Sequence, residues 1–305
     1  IMSIIKNEYI TLNSREEIRI KAFMILANHL FSTYEFKRGD NKLLLPQLCK
    51  AFYCEFNKLS FVTKFTCKRY ITVKEALSLP VNLSSFRLIL GCGIPGWLIK
   101  KMPYEGLRYL PNTLTDLDLS NNAKFTNKVL KAIPKTLKSL NLAYLNKISD
   151  EGLRYLPNTL TKLSLEQCYQ VTLRENPLPA TLKSLNLKRC YSVVDEEMRY
   201  LPKTLTYLNL EDCAGVTLKG VALPKTLTYL NVSATRVTDE GLRYLPNTLT
   251  YLNVGWTEVT DETLRNLPDK LKTLHLGMLN TTVTRDVVLS LPKTIAVRGM
   301  YSEER

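Results

Sequence analysis

At 305 residues, with 45% hydrophobic and 9% aromatic content, the chain carries enough apolar side chains to fill an interior, which excludes a disordered polymer. It holds no apolar run of about eighteen residues, and the start, IMSIIKNEY, meets Lys6 and Glu8 too soon for a secretion signal, so neither a membrane span nor a signal peptide is expected and Met2 reads as the native start. The formal net charge of +14 is spread along the chain rather than gathered in a basic tail, and seven cysteines without a Cys-x-x-Cys pair argue against a disulfide framework or zinc site and for a reducing cytosol.

Ser14 followed by Glu17 is a capping box, and Ile18, Ala22, Ile25, Leu26, His29 and Leu30 follow at helical spacing. After FKRGDNK, a second helical stripe runs through Leu45, Leu48, Phe52, Phe56 and Leu59. Residues 13–59 therefore read as helical, within an N-terminal helical cap over 1–69 whose last ten residues, with Phe61 and Phe65, form an irregular strand. His29 and cysteines 49, 54, 67 and 92 read as core or cap residues.

From residue 70 the chain repeats. In TDEGLRYLPNTLTYLNV, Leu249, Leu252 and Val254 alternate with Tyr251, Asn253 and Gly255, so one face of a short strand is buried and the other is free. Before that strand, Thr238 is placed to cap a helical turn, Asp239 and Glu240 suit the positive end of the turn, and Pro246 stops it. Such a unit cannot bury its leucine face alone, so neighbouring units must stack. Prolines at 111, 134, 157, 179, 202, 224, 246, 268 and 292 mark the units, while the earlier interval from Pro80 to Pro111 is longer and holds the GCGIPGW insertion. After Pro292, Arg298 stands where a strand leucine is expected, and 295–305 read as a terminal cap. The expected fold is an α/β leucine-rich repeat solenoid over 70–305. Its curved parallel β ladder lies on the concave face, with short helices on the convex face.

The LPxTLTxLxL stretches resemble the leucine-rich repeats of effector proteins that intracellular or host-associated bacteria deliver into eukaryotic cells. The VTDEGLRYL segments are similar to the cysteine-containing repeats of eukaryotic substrate receptors, and the resemblance spans about residues 70–297. It implies a protein secreted by a bacterium into the host cytoplasm, where it binds a host protein or regulates or inhibits another effector. The ubiquitin-ligase domain that some such effectors carry has no counterpart in these residues. An adaptor alternative comes from Leu44, Leu45, Leu48, Cys49, Lys50 and Phe52, which resemble the end of an F-box; residues 18–60 would then dock a ubiquitin ligase while the repeats hold substrate.

Cys168, Cys190 and Cys213 recur where Asn122, Thr235 and Thr257 also stand, which reads as a small polar ladder serving backbone groups at the end of each strand. Arg108, Arg154, Arg199, Arg243 and Arg265 make a convex stripe, and Asp150, Asp195, Asp239 and Asp261 precede four of them at helical pairing distance. The two histidines lack a nucleophile partner and Gly91–Gly93 lacks a phosphate-loop lysine, so no catalytic residue, cofactor, metal or small-molecule substrate is expected. The binding candidates are the outward strand residues of the concave face. They comprise Tyr207, Tyr229 and Tyr251 with Asn231 and Asn253, then Trp256 and His275, flanked by Lys188, Arg189, Glu211 and Asp212. Aromatic anchors ringed by polar groups suit a protein partner. A concave face with nearly balanced charge is a poor nucleic-acid track.

Overall fold

A computed structural model describes residues 64–67, 84–88, 104–174, 178–277 and 282–299. All of them lie in the second of two compact units, Phe52–Arg305. The helical cap, the F-box-like segment, His29, cysteines 49, 54 and 92 and the GCGIPGW insertion fall outside the described residues.

Eleven strands form one parallel sheet in strict chain order: β1 (Lys64–Cys67), β2 (Ser85–Leu88), β3 (Asp116–Asp118), β4 (Ser139–Asn141), β5 (Lys162–Ser164), β6 (Ser184–Asn186), β7 (Tyr207–Asn209), β8 (Tyr229–Asn231), β9 (Tyr251–Asn253), β10 (Thr273–Gly277) and β11 (Ala296–Gly299). Equivalent residues face one another across the ladder, as in Tyr207↔Tyr229 and Tyr229↔Tyr251. The strand leucines point inward, and Leu208, Leu230 and Leu252 are fully buried. Among the described residues the ladder already includes β1, within the 60–69 segment expected to form an irregular strand.

At the other end the sequence expectation shifts by one residue. Val297, not Arg298, takes the leucine position, opposite Leu274, and Arg298 lies opposite His275. In the other repeats two successive N–H groups donate to one carbonyl before the strand, as Lys272 and Thr273 do to Thr250 O; here Ala296 N–H alone donates to Lys272 O. One residue is missing between Ile295 and the strand, and the chain still pairs because the doubled bond is the dispensable one.

The helical turns are α1 (Asp150–Leu153), α2 (Asp195–Met198), α3 (Asp239–Leu242), α4 (Asp261–Arg265) and α5 (Arg285–Ser290), with 3-10 turns at Tyr104–Tyr109 and Asn127–Lys131. The repeats are not all alike. Between β5 and β6, and between β7 and β8, no helix forms among the described residues; Leu173 and Leu218 instead take left-handed backbone, at φ 68° and 58°. Both segments lack the Asp-Glu pair that opens α1 to α4, reading VTLR and VTLK, and are one residue shorter between their valine and the repeat proline.

Two helix details also differ from expectation. Thr238 does not cap α3 through its side chain, whereas Thr260 does accept the Glu262 N–H at the start of α4. Of the expected Asp–Arg pairs within one turn, the structure shows Asp261–Arg265, at 3.8 Å. The aspartates serve the next repeat instead. Asp150 accepts the N–H groups of Thr172, Leu173 and Arg174, and Asp195 accepts those of Thr217 and Leu218, clamping the two helix-free turns. Asp239 and Asp261 accept from Thr260 and Thr284. Gly241 exists for the same close packing, since a Cβ there would lie 2.1 Å from Thr217 O.

Candidate functional site

The small polar ladder takes the expected place, with a division by residue type. The Thr235 and Thr257 hydroxyls donate to the carbonyl three residues back, Val232 O and Val254 O, at 2.6 Å. The Sγ atoms of Cys168, Cys190 and Cys213 reach across to the preceding repeat and donate to Leu142 O, Leu165 O and Leu187 O at 3.2, 3.1 and 3.0 Å. Burial pushes the Cys168 and Cys213 thiols up to about 12 and Cys190 well above its ordinary value. These sulfurs are protonated donors at neutral pH and poor nucleophiles.

On the concave face, alternation along β7, β8 and β9 turns Tyr207, Tyr229 and Tyr251 away from the leucines. Parallel register then brings the rings together. Tyr207 and Tyr229 stack with centroids 4.2 Å apart at 14°, and Tyr229 and Tyr251 do so at 4.2 Å and 7°. Burial first, then the flanking Tyr207 and Tyr251, raises the Tyr229 pKa, so its phenol is neutral. Stacking occupies the ring faces within the strip. A partner therefore meets ring edges and hydroxyls there, not faces.

The next outward row is tied down from within. The Asn209, Asn231 and Asn253 side-chain carbonyls accept the N–H two residues on, from Glu211, Ser233 and Gly255, each at 3.0 Å. Asn231 is only 4% exposed, and its amide donates to Glu211 Oε2 at 3.2 Å. The charged candidates pair across neighbouring repeats, Lys188 with Glu211 at 2.7 Å and Arg189 with Asp212 at 3.0 Å. His275 is half-buried on β10, beside the Asn253 position, and its Nδ1 is buried without a hydrogen-bond partner.

Trp256 does not join the tyrosine strip. It lies five residues beyond Tyr251, about 13 Å or more along the strand direction, past Asn253 and Gly255. There it is 54% exposed, at φ 53°. Its position is left-handed in repeat after repeat, at Asn121, Tyr144, Gln167, Arg189, Asp212 and Ala234. The geometry comes from the turn, which sends each of these N–H groups, as in Tyr144 to Glu166 O at 2.7 Å, to the following repeat.

This rim also holds Tyr169 and Tyr191, which the sequence pattern does not single out. Tyr169 and Tyr191 stack at 5.5 Å and 7° while remaining 37% and 48% exposed, and Tyr191 OH donates to Asp212 Oδ2 at 3.4 Å. Tyr144 OH donates to Glu166 Oε1 at 3.2 Å. The signal in the sequence is the Cys-Tyr pair repeated at 168–169 and 190–191.

A parallel ladder with one strand per repeat, a leucine core behind it and variable side chains in front is a leucine-rich repeat solenoid, an architecture that works as an interaction scaffold. The leucine-rich repeat family model matches residues 111–133, 134–156, 224–245 and 246–267. No curated protein matches the chain. Among solved structures the chain is similar to the leucine-rich repeat-containing protein LegL7 from Legionella pneumophila, with 20% identity over 77% of this chain and 89% of that one and a TM-score of 0.46. It is similar to CroV588, a circular leucine-rich repeat protein, with 19% identity over 78% of this chain and 40% of that one and a TM-score of 0.52. A third similar structure is the Rad7 and Elc1 complex of yeast, with 16% identity over 97% of this chain, 100% of that one and a TM-score of 0.46. At such identities the likeness is one of fold. Among the described residues no helix is long and apolar enough to cross a membrane.

Proposed function

We propose that the chain is a non-catalytic module that holds a partner protein on its concave face, across the Tyr207–Tyr229–Tyr251 strip and the aromatic rim that includes Trp256. The setting proposed for it is a host cell, where the partner is a host protein or another effector; the LPxTLTxLxL motifs support that setting. The observation that carries the reading is the tyrosine strip itself. Three large side chains stand outside the core in perfect register, at a position that Asp116, Ser139, Lys162 and Ser184 fill elsewhere without disturbing the ladder. Aromatic clusters with nearby Arg and acid groups have the composition of binding hot spots.

The test is affinity capture from host-cell lysate with the full chain, followed by calorimetry on the captured partner. Trp256→Ala and Tyr229→Ala are each expected to weaken binding by about 2 kcal/mol, roughly thirtyfold. Arg154→Ala and Arg243→Ala, on the convex side, should matter much less. Tyr229→Ala also removes two ring stacks, worth about 1 kcal/mol each, so its folded fraction must be measured alongside. Full affinity in folded tyrosine and tryptophan variants, with loss in the convex ones, would refute the concave site.

A further inference from the structure

The charge that the concave face lacks is gathered elsewhere. Where the chain enters β4 to β8, the segments 134–139, 157–162, 179–184, 202–207 and 224–229 contain no acidic residue. Just ahead of those strands they expose Lys138, Lys183, Lys203 and Lys225, while Lys162 is the outward concave residue of β5. None of these lysines is in an ion pair with an acid among the described residues, whereas Lys188, Arg189, Lys219 and Arg265 all are. Lys138 and Lys183 stand four residues after their repeat proline and Lys203 and Lys225 one residue after theirs, so with strands about 4.8 Å apart these four ammonium groups are spread along the strand-entry edge over roughly 20 Å.

A groove opens beside this rim because the repeat between β7 and β8 has no helix. It has a volume of about 760 Å³ and runs between α2 with the chain to Lys203 on one side and the loop Lys219–Lys225 on the other. Its apolar lining includes Met198, Leu201, Val221 and Leu223; its charged lining sets Arg199, Lys203, Lys219 and Lys225 against Asp195 and Glu196, with Asp195 engaged by the Thr217 and Leu218 N–H groups and Lys219 by Glu240. The apolar groups are recessed: Met198 is 1% exposed and Leu201 6%.

We infer that this groove and the lysine rim form a second interaction surface, separate from the concave face, for an acidic segment of a partner protein that inserts one or two apolar side chains into the gap left by the missing helix. Charge complementarity selects the occupant's acidic character, and the recessed apolar lining selects a side chain over a bilayer, which cannot reach it. A nucleic-acid strand would need open aromatic faces to stack on. The aromatics of these five segments are Tyr207 and Tyr229, whose rings stack on each other at 4.2 Å. The lysines belong to different repeats and are spread along the edge rather than gathered on one repeat, which suits a run of carboxylates better than a single phosphate.

Phage-displayed random dodecapeptides selected against the full chain test this. The expected result is enrichment of peptides in which Asp or Glu flank a large apolar residue. Their binding should weaken at least tenfold on Lys203→Glu with Lys225→Glu, fall with added salt, and survive Tyr229→Ala. Both lysines are exposed, so the double variant should keep its fold, which circular dichroism checks. Enrichment of neutral or basic peptides, or of peptides indifferent to the charge reversal, overturns the proposal. So does charge-reversal-sensitive binding of phosphatidylserine vesicles or a uridine 20-mer without any acidic peptide.

Discussion

Asp239 shows how a single carboxylate joins two repeats. It opens α3, yet its oxygens accept the Thr260 N–H at 2.9 Å, the Thr260 hydroxyl at 2.6 Å, and the Thr263 N–H and hydroxyl. Burial pushes its pKa up, and the bonds from Thr260 and Thr263 outweigh that, leaving it below its ordinary 3.8. Because the folded value is depressed, the contribution is complete above pH 3.8 and is lost as pH falls through the lower folded value. Asp239→Ala is expected to cost about 2 kcal/mol at pH 7, the scale for hydrogen bonds to a charged group. Urea melts of the variant should also lose part of the stability drop that the parent shows below pH 4. An unchanged melt at both pH values would show that the Thr260 turn holds itself. The expected pairing of this aspartate with Arg243 gives way for a geometric reason: four donors of the next turn surround the carboxylate, while the arginine side chain is exposed.

At the scale of the element, each repeat is built to finish its neighbour. The threonine of the LPxTL motif is the clearest case. Thr226 Oγ1 donates to Lys203 O at 2.8 Å and Leu205 O at 2.6 Å, and Thr159, Thr181, Thr204 and Thr248 do the same one repeat apart. These carbonyls lie in the turn before a strand, where no ladder partner reaches them. Thr226→Val keeps the shape and removes the donor, so it is expected to cost about 1–2 kcal/mol, measured by chemical denaturation. A cost near zero would mean that water serves those carbonyls equally well. The helix-free repeats fit the same logic. Where VTLR and VTLK replace VTDE, the turn has no acidic pair to open a helix, and Asp150 and Asp195 of the preceding helices hold it in place.

Across the whole molecule, stability is a sum of such neighbour contacts, and the unbalanced term is electrostatic. With a formal net charge of +14 and several exposed lysines outside any ion pair among the described residues, the folded chain repels itself more than the extended chain does. Raising potassium chloride from 20 to 200 mM shortens the screening length to well under the length of the rim. The melting midpoint should rise by about 2 °C, and the increase should vanish in the Lys203→Glu, Lys225→Glu double variant. A fall in the midpoint with salt would show that the paired charges, Lys188–Glu211 and Arg189–Asp212, dominate instead.

Local pattern alone determined the repeat, its leucine core, the strand positions from β3 to β10 and the outward direction of Tyr207, Tyr229 and Tyr251, because proline spacing and alternation act within a few residues of one another. Apart from the tyrosine strip, it erred or was silent on most contacts whose partner lies one repeat away. Asp150 meets Leu173, Lys188 meets Glu211, Tyr169 meets Tyr191 and Cys190 meets Leu165 across separations of 22 to 25 residues. Those pairs become neighbours only once the rise between strands and the parallel register are set. The same condition decided the groove, since a missing helix leaves a gap only when flanking repeats stand on either side. A side chain's direction follows from its own strand, while what it touches follows from the stacking of the next one.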